Sequence, residues 1–559
     1  MFLALQGPAL VIISIIAFVL VIGVIILIHE GGHFFFAKKA GILCHEFSLG
    51  MGPVIWKKKI GETVFSIRAI PIGGFVSMAG EEVTSELVKK GDKIGVNIEN
   101  DEIVEIILDE KKECQLRGEI VDVDLYGEHN ETLFITLNDE IQNHHYNVKR
   151  DAFYVFEKNQ RMQITPYDRS FESKSLWQRF ITIFAGPMMN FVLAIFIYLI
   201  VSFATGVPNY DSNVVGDITA HYPADGVLEA GDKIITVNNE EITSWDDFSA
   251  TLDELYKENI IDINMVVIRD GNELSIDLQT AVIINSIGIS NLQLPEEYDS
   301  DIKGVRLGNV AIRYEDDDKK GKYPLKNGDI LTGVKINDDE YRLDNGQTWS
   351  DIIEIFKSVH SVADVRFEYY SLQKNDDDII DSNDYVLVNY DECGSIEPYT
   401  DEVLENQRIE KIQQIMGVSP ETHFDFFGCI GQAFKNFWSD FTLIFRTLKL
   451  LIAPSDVRQV GVSDLSGFVG IYSLISSYIG AGFLALMMFV AMLSVNIGVM
   501  NLLPIPALDG GRIVFLGFEL VTRKKPSKKV ENIINNIFFI LLMLLFVYVT
   551  FNDITRLFK

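Results

Sequence analysis

Residues 26–39 read ILIHEGGHFFFAKK, with two histidines and a glutamate set where a long apolar run meets its first positive charges. His29 and His33 are four apart, so a helix puts them on one face, where two imidazoles can converge on a tetrahedral Zn²⁺ at about 2.0–2.1 Å. Glu30 lies beside them, placed for proton transfer. The bland alternative is a set of interfacial polar residues ending a transmembrane helix. Membrane depth weighs against it, because ionisable groups there are costly and tend to be functional.

The run carrying this motif spans about residues 10–28, and similar runs occupy about 181–203, 483–503 and 534–551. Crossing a bilayer takes about 20 such residues. No basic segment precedes the first run and no small-residue cleavage site follows it, so it reads as a retained helix rather than a signal peptide. Lys38, Lys39, Lys57, Lys58, Lys59 and Arg68 follow it, and Arg512, Arg523, Lys524, Lys525, Lys528 and Lys529 lie between the third and fourth runs. Short loops rich in Lys and Arg stay in the cytoplasm. The expectation is four crossings with both termini outside. The chain of 559 residues carries 48 Lys+Arg against 79 Asp+Glu, a net charge of −31, which repels nucleic acid and suits large solvated domains. Cys44, Cys114, Cys393 and Cys429 are far apart and form no CxxC pair, so neither a disulfide framework nor a cysteine zinc site is indicated.

Three soluble pieces separate the apolar runs. About 42–80 is short and Gly-rich, 81–170 reads as a strand-rich cytoplasmic insertion, and 208–425 is a large external part. The last holds an internal echo: LEAGDKIITVNNEEITSWDDF from Leu228 and LKNGDILTGVKINDDEYRLDNGQTWSDII from Leu325. Each couples a Gly-Asp turn and an apolar strand to a later helix start at a Trp. The pattern resembles a tandem of PDZ domains, expected at 208–300 and 301–425. GDKIGV at Gly91 repeats the turn alone.

Two histidines leave a hydrolytic zinc short of a ligand, since such a metal keeps three protein ligands and one open position. Asp509 is the first acidic residue after the long uncharged third run, in SVNIGVMNLLPIPALDGGRIVF. Pro504 and Pro506 interrupt the helix there, freeing backbone groups that need protein or a water-lined cavity around them. An ordinary Asp-Gly-Gly turn leaving the membrane reads equally well from these residues.

HEGGH at His29, FSLGMGP from Phe47, IRAIPIGGFVSMAGE from Ile67, FAGPMMNFVLAI from Phe184, LSGFVGI from Leu465 and NLLPIPALDGG from Asn501 follow in one order along the chain. Together they resemble the site-2 protease family, in its bacterial regulator-of-sigma branch. The resemblance implies a polytopic α-helical membrane protein of about four transmembrane helices, with a membrane-dipping β element and external PDZ-like α+β domains. It implies a zinc endopeptidase acting within the membrane on single-pass transmembrane proteins, in regulated proteolysis or the clearance of remnant signal peptides. On motif position His29, His33 and Asp509 hold Zn²⁺, Glu30 is the general base, and Asn501 meets the substrate backbone. Residues 71–76, with Gly73 and Gly74, offer the substrate a strand edge. Gly186, Pro187 and Asn190 match the second-helix motif, Asn190 as a packing hydrogen bond.

The expected divisions are 1–40 (first helix with HEGGH), 41–80 (β element), 81–170 (insertion), 171–207 (second helix), the two PDZ-like domains, 426–470 (amphipathic external segment), 471–515 (third helix) and 516–559 (fourth helix). Phe468 stands where the family has proline, and the insertion is poorly matched. The run at 375–384 lacks the Gly and terminal Glu of a Ca²⁺ loop and reads as solvated acid. His144 and His145 are neighbours, so on a strand they face opposite ways. Two other classes fit the residues less well. A proteolytically silent PDZ scaffold has no use for Glu30, and a zinc transporter needs polar groups along its helices, which the first run lacks.

Overall fold

A computed structural model of the chain describes residues 8–80, 87–127, 131–139, 141–156, 160–258, 260–284, 288–291, 301–310, 325–343, 349–357, 365–372, 385–389, 412–452 and 467–557. The acidic run at 375–384 and Cys393 lie outside them. Helix α1 (Pro8–Lys39) is apolar until its motif and closes on Lys38 and Lys39, cations suited to a helix C-terminus. Strands β1 (Cys44–Ile60) and β2 (Thr63–Met78) then form an antiparallel hairpin that folds back on itself, Leu49 pairing with both Ile67 and Gly74. Residues 74–78 are thereby left as an outer strand, with β1 on one side and no strand on the other among the described residues. Val54, Ile55, Trp56 and Ile60 are exposed along the far part of the hairpin. At its turn, Glu62 accepts two hydrogen bonds from Arg169, each 2.8 Å, and pairs with Lys38 of α1.

The insertion is a β barrel. Strands β3 (Lys93–Glu99), β4 (Glu102–Ile107), β5 (Leu116–Asp124), β6 (Phe134–Asn138), β7 (Asn143–Val155) and β8 (Arg161–Gln163) run in the order β4-β3-β5-β6-β7-β8. A parallel pairing of β4 with β7 closes the ring. Alternating apolar residues fill it, among them Ile94, Val96, Ile103, Ile135 and Leu137, which closure hides from water and from edge pairing. His144 and His145 do point apart, to Asp139 and Thr136 respectively. Helix α2 (Leu176–Thr205) follows, with Pro187 inside it.

The chain divides into two units: Met1–Ser202 with Ile430–Leu448 and Gly461–Lys559, and Phe203–Cys429 with Lys449–Val460. The second unit holds two α+β modules carrying α3 (Trp245–Lys257) and α4 (Trp349–Lys357). Both echoes are real in structure. Trp245 and Trp349 are each buried in their module's core, and Asp232 and Asp329 each accept a backbone N–H three residues back, from Glu229 at 2.9 Å and Lys326 at 2.7 Å. Asp92 of the insertion does the same with Lys89 at 2.7 Å, so GDKIGV makes the same turn. The strands, however, do not follow a sequential division at residue 300. Ala281–Ile284 already belongs to the second core and pairs with Ile412–Ile415, while Val418–Pro420 returns to pair with Val215–Ile218 of the first module. The later module is nested in the earlier one, because a strand's partner is chosen by the whole surface and not by nearness in sequence.

In the first unit, α5 (Phe426–Ile452) packs Ala433, Phe437 and Phe441 against α2. Asp440 of α5 takes a hydrogen bond from the buried Tyr198 hydroxyl. The short apolar α6 (Phe468–Ala481) turns at Gly482 into α7 (Phe483–Leu502), and both pack on α1 through Ile475, Ile479, Phe489 and Leu493. Helices α8 (Asp509–Thr522) and α9 (Lys528–Leu557) complete the chain. Asp553 of α9 accepts the N–H groups of Gly467 and Gly470, 2.8 and 2.9 Å, capping α6 from outside its own sequence. Phe468 packs edge-on to Phe18 and Phe546, so the residue in the proline position fills an aromatic cluster. Among the described residues four helices are long and apolar enough to cross a membrane: Val11–Lys39, Leu176–Thr205, Phe483–Leu502 and Lys529–Thr555.

Candidate metal centre

One helical turn of α1 brings the His29 and His33 Nε2 atoms to 3.3 Å, and Asp509 Oδ2 lies 3.2 Å from the first and 3.3 Å from the second. Both histidines are buried. Each ring is oriented from behind by α2. His33 Nδ1 is 2.8 Å from the Thr182 carbonyl, which can only accept, so Nδ1 carries the proton and Nε2 the lone pair. His29 Nδ1 lies 3.2 Å from the Asn190 side-chain nitrogen, while the amide oxygen is buried without a partner. With the two ends of that amide exchanged, the oxygen accepts from His29 Nδ1, which gives His29 the same tautomer.

Glycines make this approach of α1 and α2 possible. A Cβ at Gly32 would strike the Ala185 carbonyl. One at Gly186 would lie on His33 Nε2, 2.6 Å from its Cε1 and 2.9 Å from His29 Nε2. Pro187, having no N–H, leaves the Ile183 carbonyl of α2 unbonded within the helix next to this point. The buried Arg179 guanidinium grips Glu519 of α8 through two bonds of 2.9 and 2.7 Å, tying the helix that orients the rings to the helix that carries Asp509.

Asp509 opens α8 rather than closing α7. α7 stops at Leu502 ahead of Pro504 and Pro506, and the chain doubles back so tightly that a Cβ at Gly510 would collide with the Leu502 and Leu503 carbonyls. At a helix N-terminus a carboxylate meets the positive end of the backbone dipole. Its Oδ2 is nevertheless buried without a hydrogen-bond donor, facing two nitrogens whose lone pairs also point inward. Three electron-rich atoms aimed at one point ask for a cation. Ligands about 2.0–2.1 Å from a tetrahedral zinc stand about 3.3–3.4 Å apart, and two imidazoles plus a carboxylate are a donor set of catalytic zinc. The residues fit the metal.

The three groups line a cavity of about 950 Å³ together with Glu30, Gly74 and Asn501. Among the described residues no hydrogen bond or ion pair is formed by the Glu30 or Asn501 side chain, and both face the cavity. Gly74 is needed for a reason beyond substrate access: a Cβ there would press on Ile26 at 2.9 Å and on Glu30 at 3.0 Å, so its absence lets the outer strand pass against α1. Gly73 is held apart from the cavity lining, at φ 78° against Met51. Thr182 and the ring-orienting role of Asn190 escaped the sequence reading. The Asn190 motif was visible, but a backbone carbonyl carries no residue-type signal.

Three converging buried groups that could hold a metal ion, a carboxylate beside them and a cavity that they share fit a metal-dependent hydrolase of the membrane. The model of peptidase family M50 matches residues 17–545, and the chain belongs to that family. It is similar to a Staphylococcus aureus (strain N315) protein with a provisional zinc metalloprotease name, 30% identical over 551 residues, 98% of this chain and 99% of that one. It is also similar to the zinc metalloprotease RasP of Oceanobacillus iheyensis, 29% identical over 554 residues, and to RasP of Shouchella clausii, 28% over 548, again across 98% of this chain and 99% and 100% of theirs. The protein is thus a zinc metalloprotease of the site-2 type, a multi-pass membrane protein acting on protein substrates within the membrane. The matches run through the insertion that the sequence motifs left unassigned.

Proposed function

We propose that the protein cleaves the transmembrane segments of single-pass membrane proteins, with His29, His33 and Asp509 holding zinc and Glu30 as the general base. The observation that carries this reading is the convergence of three buried ligand atoms within 3.3 Å beside the Glu30 carboxylate, which lines the same cavity. A substrate helix has every carbonyl bonded internally, so a stretch must unwind before attack. The free side of residues 74–78 offers backbone groups to the unwound stretch, in the manner of strand addition to a sheet edge. Asn501 donates its amide to the substrate backbone near the scissile bond. When bound, zinc polarises the scissile carbonyl and acidifies water. Glu30 takes a proton from the attacking water and returns it to the leaving amine as the C–N bond breaks.

The exposed apolar side chains of the hairpin suit a β element dipped into the bilayer. The two α+β modules act as external PDZ-like filters that admit substrates whose ectodomain is already trimmed, and the barrel lies in the cytoplasm. Substrates of this kind include membrane-bound regulators and remnant signal peptides. The test is Glu30→Gln in the purified full-length enzyme. Zinc should stay bound while cleavage of a model single-pass substrate falls by about two orders of magnitude or more; cleavage near the parent rate would remove Glu30 from the mechanism.

A further inference from the structure

The cavity does not end at the metal centre. It continues along residues 74–80 and is closed at its far side by the barrel, through Leu87, Val88, Leu125, Tyr126, Tyr154 and Met162. Direction along the strand is fixed by contacts at each end. Gly74 abuts Ile26 and Glu30 of α1, whereas the Ala79 carbonyl accepts the N–H of Phe171 at 2.7 Å and the Tyr126 hydroxyl donates to the adjacent Glu172 at 3.2 Å. The barrel therefore stands about 20 Å from the catalytic end, six residues of extended chain away.

We infer that the barrel is a specificity subsite, taking an apolar side chain of the substrate that lies about four to seven residues to the N-terminal side of the scissile bond. The inference rests on the protease reading above and adds a role for the insertion. An extended substrate added to the free edge of residues 74–78 pairs most favourably in the antiparallel sense, as β1 does on the other edge. Residue numbers on that edge rise from the metal toward the barrel, so the substrate runs from the barrel toward the metal. Its N-terminal flank meets the barrel wall. That wall is mainly apolar, with Asp124 and Tyr126 its polar members, and continuous with the catalytic cavity, and Leu87, Leu125 and Met162 are only partly covered by the barrel's own core. A substrate chain in the cavity is the occupant that would complete the covering.

The test uses full-length enzyme in detergent and a single-pass model substrate with Leu or Asp placed in turn at the positions flanking the scissile bond. At one position in the N-terminal flank, Leu should exceed Asp by about tenfold or more in kcat/KM, the scale on which an apolar subsite discriminates. Met162→Lys should shrink or reverse that ratio without changing the Leu/Asp ratio on the C-terminal flank. Identical ratios in parent and variant overturn the inference. Should Met162→Lys lose its zinc, and so report a folding defect, a second measurement decides: a photoreactive phenylalanine at Leu125 in the Glu30→Gln enzyme. Cross-links to the substrate's N-terminal flank support the subsite, while cross-links confined to the C-terminal flank, or none, overturn it. Failure of the protease reading itself shows separately, as cleavage by Glu30→Gln.

Discussion

Replacing Gly186 by alanine separates metal binding from folding. In a helix interior this exchange ordinarily stabilises by about 0.5–1 kcal/mol, because glycine loses more conformational freedom on folding. Here the new methyl group would lie on His33 Nε2, 2.6 Å from the ring's Cε1 and 2.9 Å from His29 Nε2, where ordinary contact begins at 3.4 Å. The His33 ring must retreat by nearly an ångström, whereas zinc–ligand distances tolerate about 0.2 Å. Zinc affinity should fall at least as far as on loss of an outer-shell partner, about 10–100-fold, with activity falling alongside it. The thermal midpoint of the metal-free chain reports separately whatever repacking of the α1–α2 contact costs, about 1–3 kcal/mol for an overpacked core. The assay is zinc per chain after dialysis against graded chelator, with thermal unfolding in parallel. Gly431→Ala is the control, since nothing lies within 4 Å of the position its Cβ would take. If Gly186→Ala retains zinc against chelator as the parent does, the α1–α2 contact is not what shapes the metal site.

Asp509→Ala should lower zinc affinity by more than the about 10–100-fold typical of outer-shell loss and abolish cleavage with it; parent-like zinc content would make Asp509 a turn residue only. Glu62 is drawn down from 4.5 to about 2, chiefly by its hydrogen bonds from Arg169 and then by Lys38. A depressed carboxyl stabilises fully above its unfolded value and loses that contribution as pH falls through the folded one, so parent stability should decline between pH 4.5 and about 2 more steeply than that of Glu62→Gln, as read from thermal midpoints across the window. For sidedness, single cysteines at Glu273 and Lys111 in a cysteine-free background should differ toward an impermeant thiol reagent on intact cells, Glu273 reacting and Lys111 staying protected; the reverse pattern inverts the orientation.

The parts of this fold legible in the sequence are those whose signal is local. HEGGH needs only the helical period to put two rings together, and the four long apolar runs announce membrane-length helices by composition. The Gly-Asp turns read correctly because Asp232, Asp329 and Asp92 bond a backbone three residues away. Asp509 was ambiguous from its own surroundings, for its partners lie some 480 residues earlier and only the family motif pointed to them. Closure of the barrel by a parallel β4–β7 pair and the capping of α6 by Asp553 were illegible for the same reason. Gly186 was quoted within a motif, yet its purpose appears only when α1 is laid against it.

The nesting of one α+β module inside another has a consequence for synthesis. Val215–Ile218 waits for Val418–Pro420, roughly two hundred residues downstream. At about 5–20 residues per second, the ribosome needs about 10–40 s to supply that strand. Over that interval the earlier module stands with an unfilled edge, open to pairing with other nascent chains or to capture by chaperones. The inner module closes only slightly sooner, since its Ala281–Ile284 strand pairs with Ile412–Ile415, made just before Val418–Pro420. Maturation of this protease is therefore timed by this late segment, and a truncation after Ile415 but before Val418 should leave the outer module unclosed while the inner one keeps all its strands.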